Sequence, residues 1–504
     1  MNKVYNTVWN ESTGMWVVTS ELTRKGGRRP RQIRRTALAG LIAGLLLPSA
    51  PALAVDYNNE TLGSGATSSS MSLNAGDTAT DTTINSGGNQ YVSGGGSATS
   101  TTINSGGYQY VSSGGSATDT TINSGGSQYV SSGGSATNIT NDGGYLSIDG
   151  NVTDITVNDG NNNMHGGSAT SVTINGAGLN MYGGSVTSTT INSGYQNIFG
   201  GSATSTTINT GSQIVYSGGS ATNTIINSGG YLSVSGGGTA VDITQNSGGA
   251  ISADTSAALS GTNINGSFSI ANGSASNMLL ENGGYLAVLN GHQATDTTIN
   301  SGGNQYVSSG GSATSTTINS GGYLSVSSGG SATSTTINSG GNQYVSSGGS
   351  ATSTTINSGG YLSVSGGGTA VDITQNSGGA ISADTSAALS GTNINGSFSI
   401  ANGSASNMLL ENGGYLAVLN GHQATDTTIN SGGNQYVSSG GSATSTTINS
   451  GGYLSVSSGG SATSTTINSG GNQYVFSGGS ATSTTINIGG YQYVFSGGSA
   501  TSTT

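Results

Sequence analysis

Residues 103–121 read INSGGYQYVSSGGSATDTT, and this stretch returns with little change along most of the chain. Its Ile recurs at Ile84, Ile103 and Ile122, at Ile299, Ile318, Ile337 and Ile356, and at Ile429, Ile448, Ile467 and Ile486. Every step within these runs is nineteen residues. A period near twenty with two Gly-Gly turns per unit marks a solenoid, in which each unit is one coil stacked on the next. Gly- and Ser-rich sequence is often disordered instead, but linkers do not need their apolar residues in phase. Here Val92, Ala98, Ile103, Val111, Ala117 and Ile122 follow one another at steps of six, five and eight.

Those steps predict the shape of a coil. Residues an odd number apart on one strand face opposite ways, so Ala98 and Ile103 both point inward only if the chain bends near Ser100-Thr101. NSGG and SSGG supply two further corners, where Gly and Asn accept positive φ. The expected fold is all-β, a three-sided parallel β-helix of 19-residue coils with Ile, Val and Ala each lining one inner face. The position before Val holds Tyr at Tyr110 and Tyr344 but Ser at Ser325 and Ser455. A slot that accepts either faces water, which predicts an interrupted outer ladder through Tyr91, Tyr110, Tyr129, Tyr306 and Tyr344. A single coil buries too few side chains to offset the entropy of ordering its backbone, so stability accrues only in series. Roughly 23 coils about 4.8 Å apart give a rod on the order of 110 Å long.

Regular repeats are expected over 80–138, 291–379 and 421–504, with 55–79 forming a cap or first coils. The unit degenerates over 139–249. Residues 250–290 and their copy at 380–420 carry larger apolar residues such as Phe268, Met278, Leu279 and Leu280, and read as further coils with a fuller core. A larger event overlies the repeat: residues 226–345 and 356–475 are identical, so Glu281 maps to Glu411 and His292 to His422.

Charge is segregated. All eight basic residues precede residue 36, and only two of the 19 acids, Glu11 and Glu21, precede Val55. From Val55 onward the chain has 17 acids and no Lys or Arg, a formal charge of −17. Such a body has no means of gripping phosphates, which excludes nucleic acid as a partner and argues against anionic membrane surfaces. With no Cys, disulfides and thiolate metal sites are excluded. The distribution also predicts that exported protein, even denatured, gives no tryptic ladder on a gel, since nothing beyond Arg35 can be cut.

The basic residues belong to an export signal. RRPRQIRR (28–35) precedes the apolar run TALAGLIAGLLL (36–47), which is too short to span a bilayer and leads into PSAPALA. Small residues at Ala52 and Ala54 place cleavage between Ala54 and Val55, so 1–54 is expected to be removed. N-terminal sequencing of exported protein should begin at Val55.

Catalytic chemistry is sparse. β-Helical carbohydrate enzymes need clustered carboxylates or a basic residue on one face, whereas the acids here are single Asp residues such as Asp119, Asp296 and Asp426. His165, His292 and His422 stand alone, without the spacing of a metal site. The calcium repeat GGxGxDxUx is absent. A flat Thr face for ice binding is broken by Ser and Asn. Neither enzymatic activity nor any cofactor or metal is expected.

The segment ahead of the ordinary signal resembles the extended signal peptide region of large Gram-negative autotransporters, through Met1-Asn2-Lys3, Tyr5, Trp9-Asn10, Gly14, Trp16-Val17-Val18 and Ser20-Glu21-Leu22. The repeats resemble those of the AIDA family of adhesins and their self-associating relatives, through S-A-T-S-T-T-I-N-S-G-G and V-S-S-G-G over most of 80–504. The resemblance implies a right-handed β-helix exported by the general secretory machinery, and a passenger for adhesion, autoaggregation and biofilm formation. Its partners would be like passengers on neighbouring cells and surface receptors that the sequence does not identify. The resemblance also implies O-glycosylation by a heptosyltransferase, with Ser105, Ser112, Ser113 and Ser116 as acceptor candidates. Members of the family end in an outer-membrane β-barrel, whereas this chain stops at Thr504 in mid-repeat. It is therefore expected to be a fragment of a longer surface protein or a truncated product that stays in the periplasm or is secreted.

Overall fold

The computed structural model describes residues 5–10, 15–20 and 53–504. In the first unit, Tyr5–Asn10 and Met15–Ser20 pair antiparallel, Trp9 opposite Trp16. The basic stretch and the apolar run of the signal lie outside the described residues, as does Ala52.

The second unit, Ala54–Thr504, is a β-solenoid of about 23 turns with a spacing near 19 residues, and no helix occurs among the described residues. Strand Ser97–Ile103 lies parallel and in register with Ser116–Asn123, Ile103 beside Ile122 and Ala98 beside Ala117. Tyr108–Val111 pairs the same way with Ser127–Val130. Ala98, Ile103 and Val111 are fully buried, as the spacing requires.

Each corner has its own cause. Ser100, at the expected bend, has φ +55°. One left-handed residue flips the parity, so Ala98 and Ile103 both face in. The same corner holds only Ser, Asp or Asn in successive coils: Asp81, Ser100, Asp119, Asn138, Asp154 and Ser171 all have φ near +55°. Asp and Asn tolerate this region better than other L-residues. Replacing the exposed Ser334 (φ +58°) by Asn should therefore stabilise the coil by about 0.5–1 kcal/mol, read as a higher denaturation midpoint. At the NSGG corner the two glycines do different work. Gly106 supplies φ +73°. A Cβ on Gly107 would lie 2.5 Å from the Ile84 carbonyl oxygen, so that position requires close backbone approach between coils.

The core is less apolar than Ile, Val and Ala alone would make it. Gln109 and Thr101 are also buried, at 0% and 1% exposure. Gln109 Nε2 donates to Gln90 Oε1 (2.8 Å), Gln128 Nε2 to Gln109 Oε1 (2.7 Å), and Thr101 Oγ1 to Gln90 Oε1 (3.3 Å). A buried amide stacked on its own copy satisfies itself, which removes most of the cost of burying it.

Asn forms a second ladder at the NSGG corner. Asn449 Nδ2 donates to Asn430 Oδ1 (2.9 Å), Asn468 to Asn449 (2.7 Å) and Asn487 to Asn468 (2.6 Å). Every bond points to the preceding coil, so the first member needs an acceptor that donates nothing. That acceptor is a carboxylate: Glu411 Oε2 takes the bond from Asn430 (3.2 Å), and Glu411 Oε1 accepts from the Gly378 N–H (2.6 Å). Glu281 repeats the device, and Asp142 caps the ladder that begins at Asn158 (2.7 Å).

The expectation that 250–290 and 380–420 form only enlarged coils is corrected. Ala258–Asn263 pairs antiparallel with Gly266–Ala271, and that strand pairs antiparallel with Ser274–Ser276. Asn272 (φ +50°) and Gly273 (φ +78°) join the last two through a tight two-residue turn, both residues left-handed as such hairpins require. On the opposite side Ala250–Asp254 pairs directly with Tyr285–Val288. One side of the solenoid thus gains two strands that the other lacks, and the second copy does the same at Ala388–Asn393, Gly396–Ala401 and Ser404–Ser406.

Candidate binding surface

The outward Tyr residues form a column. Tyr91, Tyr110 and Tyr129 stack with ring centroids 5.2 Å apart at each step and planes within 11°. Tyr91 is 44% exposed, while Tyr110 and Tyr129 are half-buried by their neighbours. Burial first, then the phenols of Tyr129, Tyr91 and Tyr108, raise the Tyr110 pKa above its ordinary value.

Within a block of regular coils the column runs on where the third strand position alone would break it. Tyr306 and Tyr344 are bridged by Tyr323, and the run Tyr285–Tyr306–Tyr323–Tyr344–Tyr361 has centroid steps of 5.3, 5.8, 5.1 and 5.9 Å. Coils alternate between NQYV and YLSV, so when Ser replaces Tyr at the third strand position, a Tyr appears at the first. Residues two apart face the same way, and the ring shifts sideways without leaving the face. The register confirms this: Asn304 sits beside Tyr323, and Tyr306 beside Ser325. A second run, Tyr415–Tyr436–Tyr453–Tyr474–Tyr493, repeats the arrangement.

A separate aromatic strip lies just past the end of the same strand: His165, Tyr182, Phe199 and Tyr216 stack at 5.2, 5.2 and 4.4 Å. Sequence reasoning left His165 isolated because its partners are different residue types, seventeen positions on in each case. His292 Nδ1 lies 2.9 Å from the buried Thr255 hydroxyl, which also accepts from the Leu289 N–H (3.1 Å). His422 and Thr385 repeat this contact.

The serines divide by corner. Ser105 and Ser113 are exposed at the NSGG and SSGG turns, whereas Ser112 and Ser116 are half-buried. Asp119, Asp296 and Asp426 each occupy the left-handed corner and are not gathered into a cluster. Val55 is 44% exposed, and its N–H donates to Asp77 Oδ1 (2.8 Å). The backbone N–H groups of Asn74 and Val55 hold the Asp77 pKa below the usual carboxylate value.

Comparison with known proteins places the chain in a family. The family described as "Adhesin of bacterial autotransporter system, probable stalk" matches residues 66–107, 260–322, 319–360, 390–452 and 455–504. The "Extended Signal Peptide of Type V secretion system" matches residues 1–50, which indicates export across the inner membrane. Autotransporter CRAC of Citrobacter rodentium is 98% identical over 93 residues, which is 18% of this chain and 6% of that protein. Autotransporter adhesin/invasin TibA of Escherichia coli O78:H11 is 79% identical over 92 residues, 18% of this chain and 9% of that protein. The chain thus spans under a tenth of the length of either relative. A crystal structure of a TibC-catalyzed hyper-glycosylated TibA fragment aligns at 37% identity over 89% of this chain and 99% of that one, with a TM-score of 0.20. With its repeats matched over half its length, the chain belongs to the family of bacterial autotransporter adhesin stalks.

Proposed function

We propose that this chain is the rod of a surface adhesin and that it works by lateral association with like rods, leading to autoaggregation and biofilm formation. The observation that carries this reading is the in-register outer column of Tyr on a body without a single Lys or Arg. Each regular coil offers the same weak docking element, and weak contacts summed along two aligned rods give avidity without any one strong site. Surface hydroxyls and Asn amides extend the contact on either side of the Tyr column. Because the body is acidic throughout, added salt should screen residual repulsion and strengthen association. A glycosyltransferase acting on the exposed Ser105 and Ser113 and their equivalents would cover the turns while leaving the Tyr face free.

The test is to join residues 55–504 to an autotransporter barrel and measure settling of the bacteria. The full array should clump. Removal of residues 346–475, one length of the duplication, should slow settling by a graded amount. All-or-none loss would point to one discrete site, and absence of settling by the full array would overturn the proposal.

A further inference from the structure

The Tyr column has one gap per duplicate, and in the second copy the gap is built as a site. After Tyr361 the next coil places Ala380-Ile381-Ser382-Ala383 in the row where Tyr would stand, and the coil after that enters shifted by two residues, Tyr415 beside Ser382. Tyr361 and Tyr415 are therefore two coil spacings apart, roughly 9–10 Å along the rod, where stacked neighbours elsewhere are one spacing apart. Between them lies an open cleft of about 590 Å³, bordered by Tyr361, Ser382, Asp384, Tyr415 and Leu419.

A polar group lies in the floor of this largely apolar cleft. Ser382 is only 6% exposed, and its hydroxyl has no hydrogen-bond partner in the protein. It shares the outward face of its strand with Ser363 and Tyr415, so it points into the gap. A buried hydroxyl without a partner carries a desolvation cost that a bound polar group would remove. At the edge stands Asp384, which uses Oδ1 to accept from the Ser386 N–H (2.7 Å) and hydroxyl, leaving Oδ2 for a further donor. Burial first, then Tyr436, then Asp384 raise the Tyr415 pKa, as expected of a phenol facing this carboxylate.

We infer that this cleft binds one ring of a neutral saccharide, its apolar faces between Tyr361 and Tyr415 and its hydroxyls on Ser382 and Asp384. Two aromatic rings bordering the place of one missing ring suit the C–H faces of a pyranose, and a hydroxyl and a carboxylate suit its alternating donors and acceptors. An acidic sugar is disfavoured, because Asp384 borders the cleft and the body has no cation. The first copy carries the same residues as Tyr231, Ser252, Asp254 and Tyr285. This site is independent of rod-to-rod association, since it needs a ring and not a second rod.

The test uses residues 55–504 and saturation-transfer NMR with methyl glucoside, galactoside and mannoside as probes. The double variant Ser252→Tyr/Ser382→Tyr fills both gaps with the ring the ladder lacks, so folding is kept. At least one pyranoside should show transfer with the parent protein, and the variant should weaken it tenfold or more while its circular dichroism and melting are unchanged. Tyr361→Ala with Tyr231→Ala, which opens the cleft from the other side, should weaken it similarly. No transfer to any pyranoside, or transfer indifferent to both double variants, overturns the proposal. Loss of self-association in the filled variant without any sugar signal also overturns it, in favour of a Tyr ring from a second copy.

Discussion

Ile103→Asp should open the solenoid locally, at a cost of about 3–5 kcal/mol. Ile103 is completely buried, stacked between Ile84 and Ile122 in adjacent coils. A carboxylate there has only Ile, Val and Ala side chains and self-satisfied Gln and Thr groups around it, so it is either charged and unpaired or protonated and still lacking partners. Tyr110→Asp, seven residues on, should cost only the ring contacts with Tyr91, Tyr108 and Tyr129, about 1–2 kcal/mol. The difference is readable by chymotrypsin, which cuts after Tyr. Cutting near Tyr108 should accelerate strongly in Ile103→Asp and little in Tyr110→Asp. Equal sensitivity of the two would show that the inside and outside of the coil have been exchanged. Because coils couple only to their neighbours, hydrogen exchange in distant coils should change little.

Glu411→Leu should have the second-largest effect, about 2–4 kcal/mol, although it replaces a charge by an apolar residue of similar bulk. Glu411 is 7% exposed and is the acceptor for two donors, the Gly378 N–H and the Asn430 amide. Removing it leaves a backbone N–H and the head of the Asn ladder without partners, and each orphaned donor costs about 1–3 kcal/mol. Glu411→Gln should cost less, because one acceptor oxygen survives, but its new amide hydrogens face a donor. Amide exchange at Gly378 is the direct readout. Unchanged protection there in Glu411→Leu would show that the carboxylate is not the cap of the ladder.

Much of this was legible in the sequence because the parity of strand residues is strict. The bend at Ser100 follows from the five-residue step between Ala98 and Ile103, and the left-handed φ there is its structural form. The same parity places Gln109, two residues before Val111, inside the coil. Its polar character pointed the other way, and the amides of Gln90 and Gln128 with the Thr120 hydroxyl make its burial tolerable. The Tyr column looked broken because one strand position was followed alone, when the ring moves between two positions on the same face. The antiparallel strands at 258–276 were hidden by the expectation of continued coiling, although Asn272-Gly273 between short apolar-alternating segments is a strong hairpin signal. The binding cleft had no local signature. It arises from what is missing, a ring absent from one coil and a two-residue shift in the next, and a shift of register is a property of the stack.

The exact repetition of the coils carries a folding problem with it. If each coil fits its neighbour identically, then a chain displaced by one whole unit satisfies nearly every contact, and the array has translational degeneracy. The hairpin insertions break that symmetry. A coil cannot be exchanged with one that carries two extra strands, a capping glutamate and a paired His and Thr. They act as index marks along an otherwise uniform ruler: between them, units can be gained or lost in multiples of nineteen residues with little conflict, and across them the order is fixed.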